Sequence, residues 1–150
     1  MTLKASSSTL CIDMDKRNLT ERDVNMYSPL SLAFLGDSVY DTLVREMLLR
    51  TANMPASKLH SAKVRLVCAE FQSEAYGRLE ERLTEKELSV LKRGRNATGN
   101  TVPKHADTGE YRRATAVECL FGYLYLLGQQ QRIAEIFEIV MEDASSLLEV

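Results

Sequence analysis

The sequence of 150 residues has no tryptophan and only three prolines and three cysteines. Cys11, Cys68 and Cys119 are odd in number, lie far apart and form no Cys-x-x-Cys pair, so neither a disulfide framework nor a cysteine zinc site is expected. No apolar run approaches the roughly 20 residues that a membrane span needs, and Lys4 is not followed by the apolar stretch of a secretory signal. We therefore expect a cytoplasmic protein without a membrane segment.

The chain also lacks a strong excess of charge of either sign. Its formal net charge is −2, and 45% of its residues are hydrophobic. This length fits a single domain with a sizeable core. Because the molecule as a whole is not basic, any contact with nucleic acid has to come from a local basic patch.

The pattern of apolar residues predicts an N-terminal arm followed by an all-α domain. Residues 1–27 are rich in Ser, Thr and charged residues, which is typical of a mobile or loosely docked arm, and the domain covers residues 28–150. Local signals mark its helices: Ser28-Pro29 starts one, Thr84 opens a capping box and Gly128 ends another. Helices are predicted over 28–50, 56–83, 84–96, 109–127 and 130–148, with a loop over 97–108. No strand pattern is present, so we expect a bundle of five to seven helices.

Three carboxylates occupy faces of these helices that are otherwise apolar. Asp37 and Asp41 lie one turn apart on the first helix, and Glu118 has the same kind of position on the helix over 109–127. An ionised carboxylate on an apolar face needs a cation nearby. The cation could be Mg²⁺, which prefers carboxylate oxygens and retained waters. Lining a groove or pairing with an arginine such as Arg45 is the alternative, and it is the more common one.

Two glycines lie within predicted helices, close to these acids. Gly36 precedes Asp37, and Gly122 shares a face with Glu118. A glycine inside a helix costs about 1 kcal/mol relative to alanine. It therefore indicates close approach either of a ligand or of a second helix.

Basic residues concentrate around the predicted loop. Lys92, Arg93 and Arg95 stand at a helix end, Lys104 lies in the loop, and Arg112 follows it. Such a cluster is suited to contacting phosphates. Cations at a helix C-terminus also stabilise the helix dipole, and this explanation covers Lys92 and Arg93 better than it covers Lys104.

Residues 32–41, with the sequence LAFLGDSVYD, resemble the signature helix of ribonuclease III catalytic domains. Later segments are similar to the shorter Mini-ribonuclease III family: RGRNA at 93–97, TVPK at 101–104, YR at 111–112 and TAVECLFGYLYL at 115–126. The similarity extends from about Ser28 to near the C-terminus. Two ordered blocks with the TVPK segment between them make it more specific than the short Leu-Gly-Asp motif alone.

The resemblance implies an all-helical, Mg²⁺-dependent endoribonuclease that acts on double-stranded RNA as a homodimer. The family further implies maturation of the large-subunit (23S) ribosomal RNA precursor. By motif position, Asp37 and Glu118 match the catalytic, metal-binding acids. We expect the domain itself to supply the contacts with RNA phosphates, through Arg93, Arg95, Asn96, Lys104 and Arg112.

The sequence departs from the full-length ribonuclease III pattern at two positions. That pattern has acids where this chain has Ala33 and Thr115, so two of four carboxylates are missing. Asp41 is a candidate third metal ligand that would compensate in part. Because acids are missing, a non-catalytic RNA- or ribosome-binding helical module derived from the nuclease stays an alternative.

The first helix carries more apolar residues than one core-facing stripe requires. A two-fold dimer would present one active site to each antiparallel RNA strand. We therefore expect a homodimer with Phe34 or Leu35 near the two-fold axis.

Overall fold

The computed structural model describes residue 12, residues 19–97, residue 104 and residues 107–148. In these ranges every regular element is a helix, which confirms the all-α prediction. The helices are α1 (Glu21–Asn25), α2 (Pro29–Thr51), α3 (Ala56–Val67), α4 (Ala69–Glu80), α5 (Glu85–Arg95), α6 (Thr108–Leu126), α7 (Gln130–Val140) and α8 (Ala144–Leu148), with a 3-10 turn over Met141–Asp143. Within the described ranges, no helix is long and apolar enough to cross a membrane.

The helix ends follow the signals that were visible in the sequence. The Ser28 hydroxyl accepts from the Ser31 amide at 3.1 Å, with Pro29 in the first turn of α2. Thr84 and Glu87 form a reciprocal capping box at the start of α5. After α6, Gly128 adopts a φ of 71°, a left-handed conformation that favours glycine.

The predicted helix over 56–83 is wrong in one respect, because the structure divides it at Cys68. The backbone there is extended, with a ψ of 154°, so α3 ends and α4 begins on either side of it. The break frees the carbonyl of Leu66 from helical pairing, and the buried hydroxyl of Tyr40 donates to this carbonyl. A contact from α2 therefore stabilises a break that apolar spacing within the segment does not reveal.

The predicted last helix over 130–148 is also interrupted, between Val140 and Ala144. Arg78 on α4 donates to the carbonyl oxygens of Ile139 at 3.3 Å and Val140 at 2.8 Å. It also contacts the Asp143 carboxylate at 2.7 Å. These bonds satisfy the free carbonyls at the end of α7 from outside the helix.

Helix α6 runs through the core and packs against α2, α4 and α5. It crosses α2 at Gly36 and Gly122. A Cβ atom on Gly36 would lie 1.6 Å from the Glu118 carbonyl oxygen, and one on Gly122 would lie 2.0 Å from the Leu32 carbonyl oxygen. The glycines thus serve tight helix packing, one of the two interpretations of the sequence. This crossing brings the next residue, Asp37, towards Glu118.

Part of the segment assigned to the arm is described and contacts the helical domain. Val24 on α1 is fully buried, and the Leu19 amide donates to the Leu126 carbonyl at 3.1 Å. Glu21 pairs with Lys86 at 2.8 Å. Apart from residue 12, residues 1–18 lie outside the described ranges, so the role of the arm as a whole stays a prediction.

Candidate active site

A cavity of about 380 Å³ opens between α2, α4 and α6, where α2 and α6 cross. Asp37 lines it from α2, Gln72 from α4 and Glu118 from α6. Leu30, Ala33 and Ala114 contribute apolar walls. The two acids that the sequence singled out therefore meet in one cavity.

Glu118 is the more buried of the two acids. Burial, and secondarily the negative charge of Asp37, raise the pKa of its carboxyl to about 8. The side-chain amide of Gln72 acts in the opposite direction and favours the ionised form. Within the described ranges, neither acid forms an ion pair with a basic side chain. The cavity thus brings together two carboxyl groups with no basic side chain paired to either in the described ranges, and burial together with the charge of Asp37 disfavours ionisation of Glu118.

This donor set suits a hard divalent cation. Two carboxylates converge where a buried charge is costly, and a bound cation would remove that cost. Mg²⁺ is commonly held by one or two carboxylates, with waters completing its shell. No group of three or more His, Cys, Asp or Glu side chains is placed to hold a metal in the described ranges. Retained water would therefore supply most of the ligands.

Asp41 has different surroundings from Asp37. Its carboxylate binds Arg45 at 2.6 Å and Lys63 at 3.6 Å, and it does not line the cavity. For Asp41, the structure thus shows the alternative to metal binding, which was pairing with a basic residue such as Arg45. Metal binding by Asp41 stays a prediction.

The positions of the two missing acids both line the cavity. Ala33 presents a methyl group there, and the Thr115 hydroxyl donates to the Tyr111 carbonyl at 3.0 Å. Acids at these positions would reach the same space as Asp37 and Glu118. The cavity therefore contains two carboxyl groups instead of four.

The candidate RNA-binding residues are distributed over more than one side of the molecule. On α5, Arg95 donates to the Tyr76 hydroxyl at 3.0 Å, whereas Arg93 donates to the Asn25 side chain at 2.9 Å, near α1. Asn96 follows α5 as its exposed C-cap. Lys104 and Arg112 are exposed. Within this set, Arg95 contacts α4, the helix that supplies Gln72 to the cavity.

Two polar residues near the cavity were not among the predicted site residues. Arg113 on α6 donates to the Ser73 hydroxyl at 2.7 Å, which places a second arginine against α4 beside Arg95. Gln72 precedes Ser73 and lies in the cavity wall. At helical spacing Gln72 shares a face with Ala75 and Leu79, and a polar residue on this core-facing register was the one signal that could have identified it.

The raised pKa of Glu118 predicts a pH-dependent stability of the metal-free protein. The folded state binds the Glu118 proton more tightly than the unfolded chain, for which the ordinary pKa is 4.5. The corresponding stabilisation is complete below pH 4.5 and is lost as the pH rises to about 8. In EDTA, the melting temperature of the wild type should therefore fall relative to Glu118→Gln between pH 5 and 8. Linkage limits the slope to about 1.4 kcal/mol per pH unit.

Thermal unfolding at several pH values in EDTA measures this difference. Glu70→Gln, which changes an exposed carboxylate of α4, is the matched control. Parallel pH curves for the wild type and Glu118→Gln would contradict the prediction.

Comparison with known proteins links this arrangement to described families. Residues 30–129 match the family model described as the Ribonuclease III domain. A Brevibacillus brevis protein named Mini-ribonuclease 3 is 47% identical over 125 residues, which cover 83% of this chain and 92% of that protein. A protein of the same name from Thermoanaerobacter is 40% identical over 83% of this chain and 87% of its own length. The crystal structure of a Fusobacterium nucleatum protein superposes with a TM-score of 0.73 at 32% identity, covering 81% of this chain and 97% of that one.

Proposed function

The chain belongs to the ribonuclease III domain family, within its Mini-ribonuclease III members, and we propose that it is an Mg²⁺-dependent endonuclease of double-stranded RNA. The family indicates a nuclease of the ribonuclease III type. We further propose that its substrate in the cell is the 23S ribosomal RNA precursor and that it acts in the cytoplasm.

The observation that carries the proposal is the convergence of Asp37 and Glu118 in one cavity without a basic partner in the described ranges. These two carboxylates would hold the cation. When bound, Mg²⁺ lowers the pKa of a coordinated water and stabilises charge on the phosphate. Burial of Glu118 limits its access to bulk water, and the negative charge of Asp37, which lines the same cavity, acts on it.

We assign binding of the duplex to basic residues of α5 and α6 and to Lys104. Arg95, held by Tyr76, and the exposed Lys104 and Arg112 are proposed to contact phosphates. Asn96, at the same end of α5, would contribute a contact without charge. Arg93, which donates to Asn25 near α1, would contact the duplex on another side of α5. Because double-stranded RNA is recognised largely by its shape, phosphates and 2′-hydroxyls, we expect weak sequence preference.

Incubation of the protein with a duplex RNA in Mg²⁺ and in EDTA tests this function. Products that form in Mg²⁺ and not in EDTA support the nuclease. Binding without cleavage under both conditions would contradict it and favour the non-catalytic RNA- or ribosome-binding module. Single-stranded RNA of the same sequence is the control for duplex specificity.

Arg95→Ala and Lys104→Ala are expected to weaken binding of every duplex sequence to a similar extent. Each lost phosphate contact should reduce the slope of log K against log salt by about one unit. Because Lys104 is exposed, its variant should stay within about 0.5 kcal/mol of the wild type in stability. Filter binding or fluorescence anisotropy over a series of salt concentrations measures the slope.

Lys58→Ala is the matched control, since Lys58 is an exposed cation on α3. Its salt slope should equal that of the wild type. Unchanged slopes for Arg95→Ala and Lys104→Ala would exclude both residues from the phosphate contacts.

We further propose that the protein acts as a homodimer. Phe34 is 84% exposed on α2, which is unusual for a large apolar side chain. Beside it, Leu35 lines an apolar groove of about 440 Å³ that also includes Val39 and Leu43. The groove is also lined by Tyr125 of α6 and Ile133 of α7. An exposed apolar side chain next to an apolar groove is typical of an interface.

Phe34→Glu is expected to convert the dimer into monomers, because a charge would then have to be buried at the two-fold axis. Sedimentation velocity at micromolar concentration measures the mass, and circular dichroism checks the helical content. Leu49→Glu is the matched control, since Leu49 is also on α2 and 61% exposed. A wild type that sediments as a monomer with full activity would contradict the dimer.

A further inference from the structure

Gln72 is a buried polar residue whose amide nitrogen has no hydrogen-bond partner among the described residues. The residue is only 1% exposed, although it lies in the wall of the active-site cavity. Among the buried side-chain nitrogen and oxygen atoms of the described ranges, Nε2 of Gln72 is the only one without a hydrogen-bond partner. Buried polar groups in folded proteins are almost always paired, so this exception requires an explanation.

Packing alone does not explain a glutamine at this position. Most of the other buried positions on α4 are apolar, for example Phe71 and Ala75. A methionine has a similar length and would fill the same space without an amide to desolvate. The amide therefore costs stability, and such a cost is typical of a functional site.

The group near the Gln72 amide is the Glu118 carboxylate. Both side chains line the same cavity, and the amide favours the ionised form of this carboxylate. Thr115, a neutral polar side chain of α6 that also lines the cavity, donates its hydroxyl to the Tyr111 carbonyl. Gln72 is thus the neutral donor available to Glu118 from the facing helix.

We propose that Gln72 is a positioning residue for Glu118: in the cation complex, its side-chain amide would donate to the Glu118 carboxylate and hold it in the orientation in which it binds the cation. The proposal rests on the proposed metal-dependent nuclease. Asp37 lines the cavity from α2 and Gln72 from α4, so Glu118 on α6 is held between a like charge and a donor. The full-length ribonuclease III pattern has two further acids, at the positions of Ala33 and Thr115. In this chain, the neutral amide of Gln72 would instead orient Glu118, one of the two remaining acids. Partners of metal ligands commonly act in this way.

Gln72→Met removes the amide and keeps the volume. In EDTA, we expect a melting temperature equal to or above that of the wild type, because the buried amide has no hydrogen-bond partner in the described ranges. Affinity for Mg²⁺ or Mn²⁺, measured by calorimetry on the RNA-free protein, should fall about tenfold or more. The kcat should fall at the same Mg²⁺ concentration, while the KM for duplex RNA should stay unchanged. Gln131→Met, at an exposed glutamine of α7, is the matched control and should alter none of these values.

The outcomes separate this proposal from the proposed function. If the wild type neither binds the metal nor cleaves the duplex, the proposed function fails, and the role of Gln72 fails with it. If the wild type does both and Gln72→Met matches it in metal affinity and kcat, only the role of Gln72 is overturned. Gln72→Leu is measured in parallel; if both variants unfold, the amide serves the fold and the proposal is likewise overturned.

Discussion

Asp37→Asn is expected to abolish cleavage of duplex RNA and to leave the helical fold intact. Asp37 is exposed to the cavity and forms no ion pair with a basic side chain in the described ranges, so its charge is not needed for packing. Only Glu118 would then offer a charge to the cation. Because metal coordination is worth several kcal/mol in the transition state, the rate should fall on the order of a thousandfold. Single-turnover cleavage in saturating Mg²⁺, with thermal unfolding of the same sample, measures both effects.

Asp41→Asn provides the comparison within the same helix. Asp41 lies one turn from Asp37 and pairs with Arg45 and Lys63 outside the cavity, so its variant should have a much milder effect on the rate. Glu118→Gln should be as inactive as Asp37→Asn. Cleavage by Asp37→Asn at a rate near that of the wild type would show that the acids are wrongly assigned.

The parts of the fold that the sequence predicted are those governed by neighbouring residues. Ser28 and Thr84 cap helices through hydroxyls that reach only three residues ahead, and Gly128 adopts a positive φ directly after α6. Asp37 and Glu118 could be selected because a charge in an apolar helical register is visible without knowledge of the fold. Local rules therefore identified these helix ends and three candidate acids, and motif position in the family resemblance distinguished Asp37 and Glu118 from Asp41.

The parts that the sequence did not predict depend on contacts between distant residues. The helix break at Cys68 involves the Tyr40 hydroxyl from α2, and the end of α7 involves Arg78 from α4. Arg93 and Arg95 are neighbours in the motif, yet one contacts Asn25 and the other Tyr76. Such pairings follow from how the helices pack, and helical periodicity within one segment does not contain them.

Gly36→Ala is expected to destabilise the protein by about 4 kcal/mol or more, a large fraction of the 5–15 kcal/mol typical of a domain. The added Cβ would lie 1.6 Å from the Glu118 carbonyl oxygen and 2.7 Å from the Gly122 amide nitrogen. Both atoms belong to the backbone of α6, so no side chain can rotate away to relieve the overlap. Helices α2 and α6 would have to separate along the interface on which the core depends. Urea unfolding followed by circular dichroism measures the loss.

Gly77→Ala is the matched control, because it makes the same chemical change inside another helix with the opposite expected sign. Apart from its chain neighbours and the backbone of its own helix, a Cβ on Gly77 would meet no described atom within 4 Å, so the variant should gain about 0.5–1 kcal/mol from helix propensity and a less flexible unfolded chain. If Gly36→Ala were as stable as the wild type, the crossing of α2 and α6 would have to be looser than the structure indicates. The same crossing sets the separation of Asp37 and Glu118. Any Gly36→Ala molecules that do fold should therefore bind Mg²⁺ and cleave RNA poorly, whereas Gly77→Ala should retain both properties.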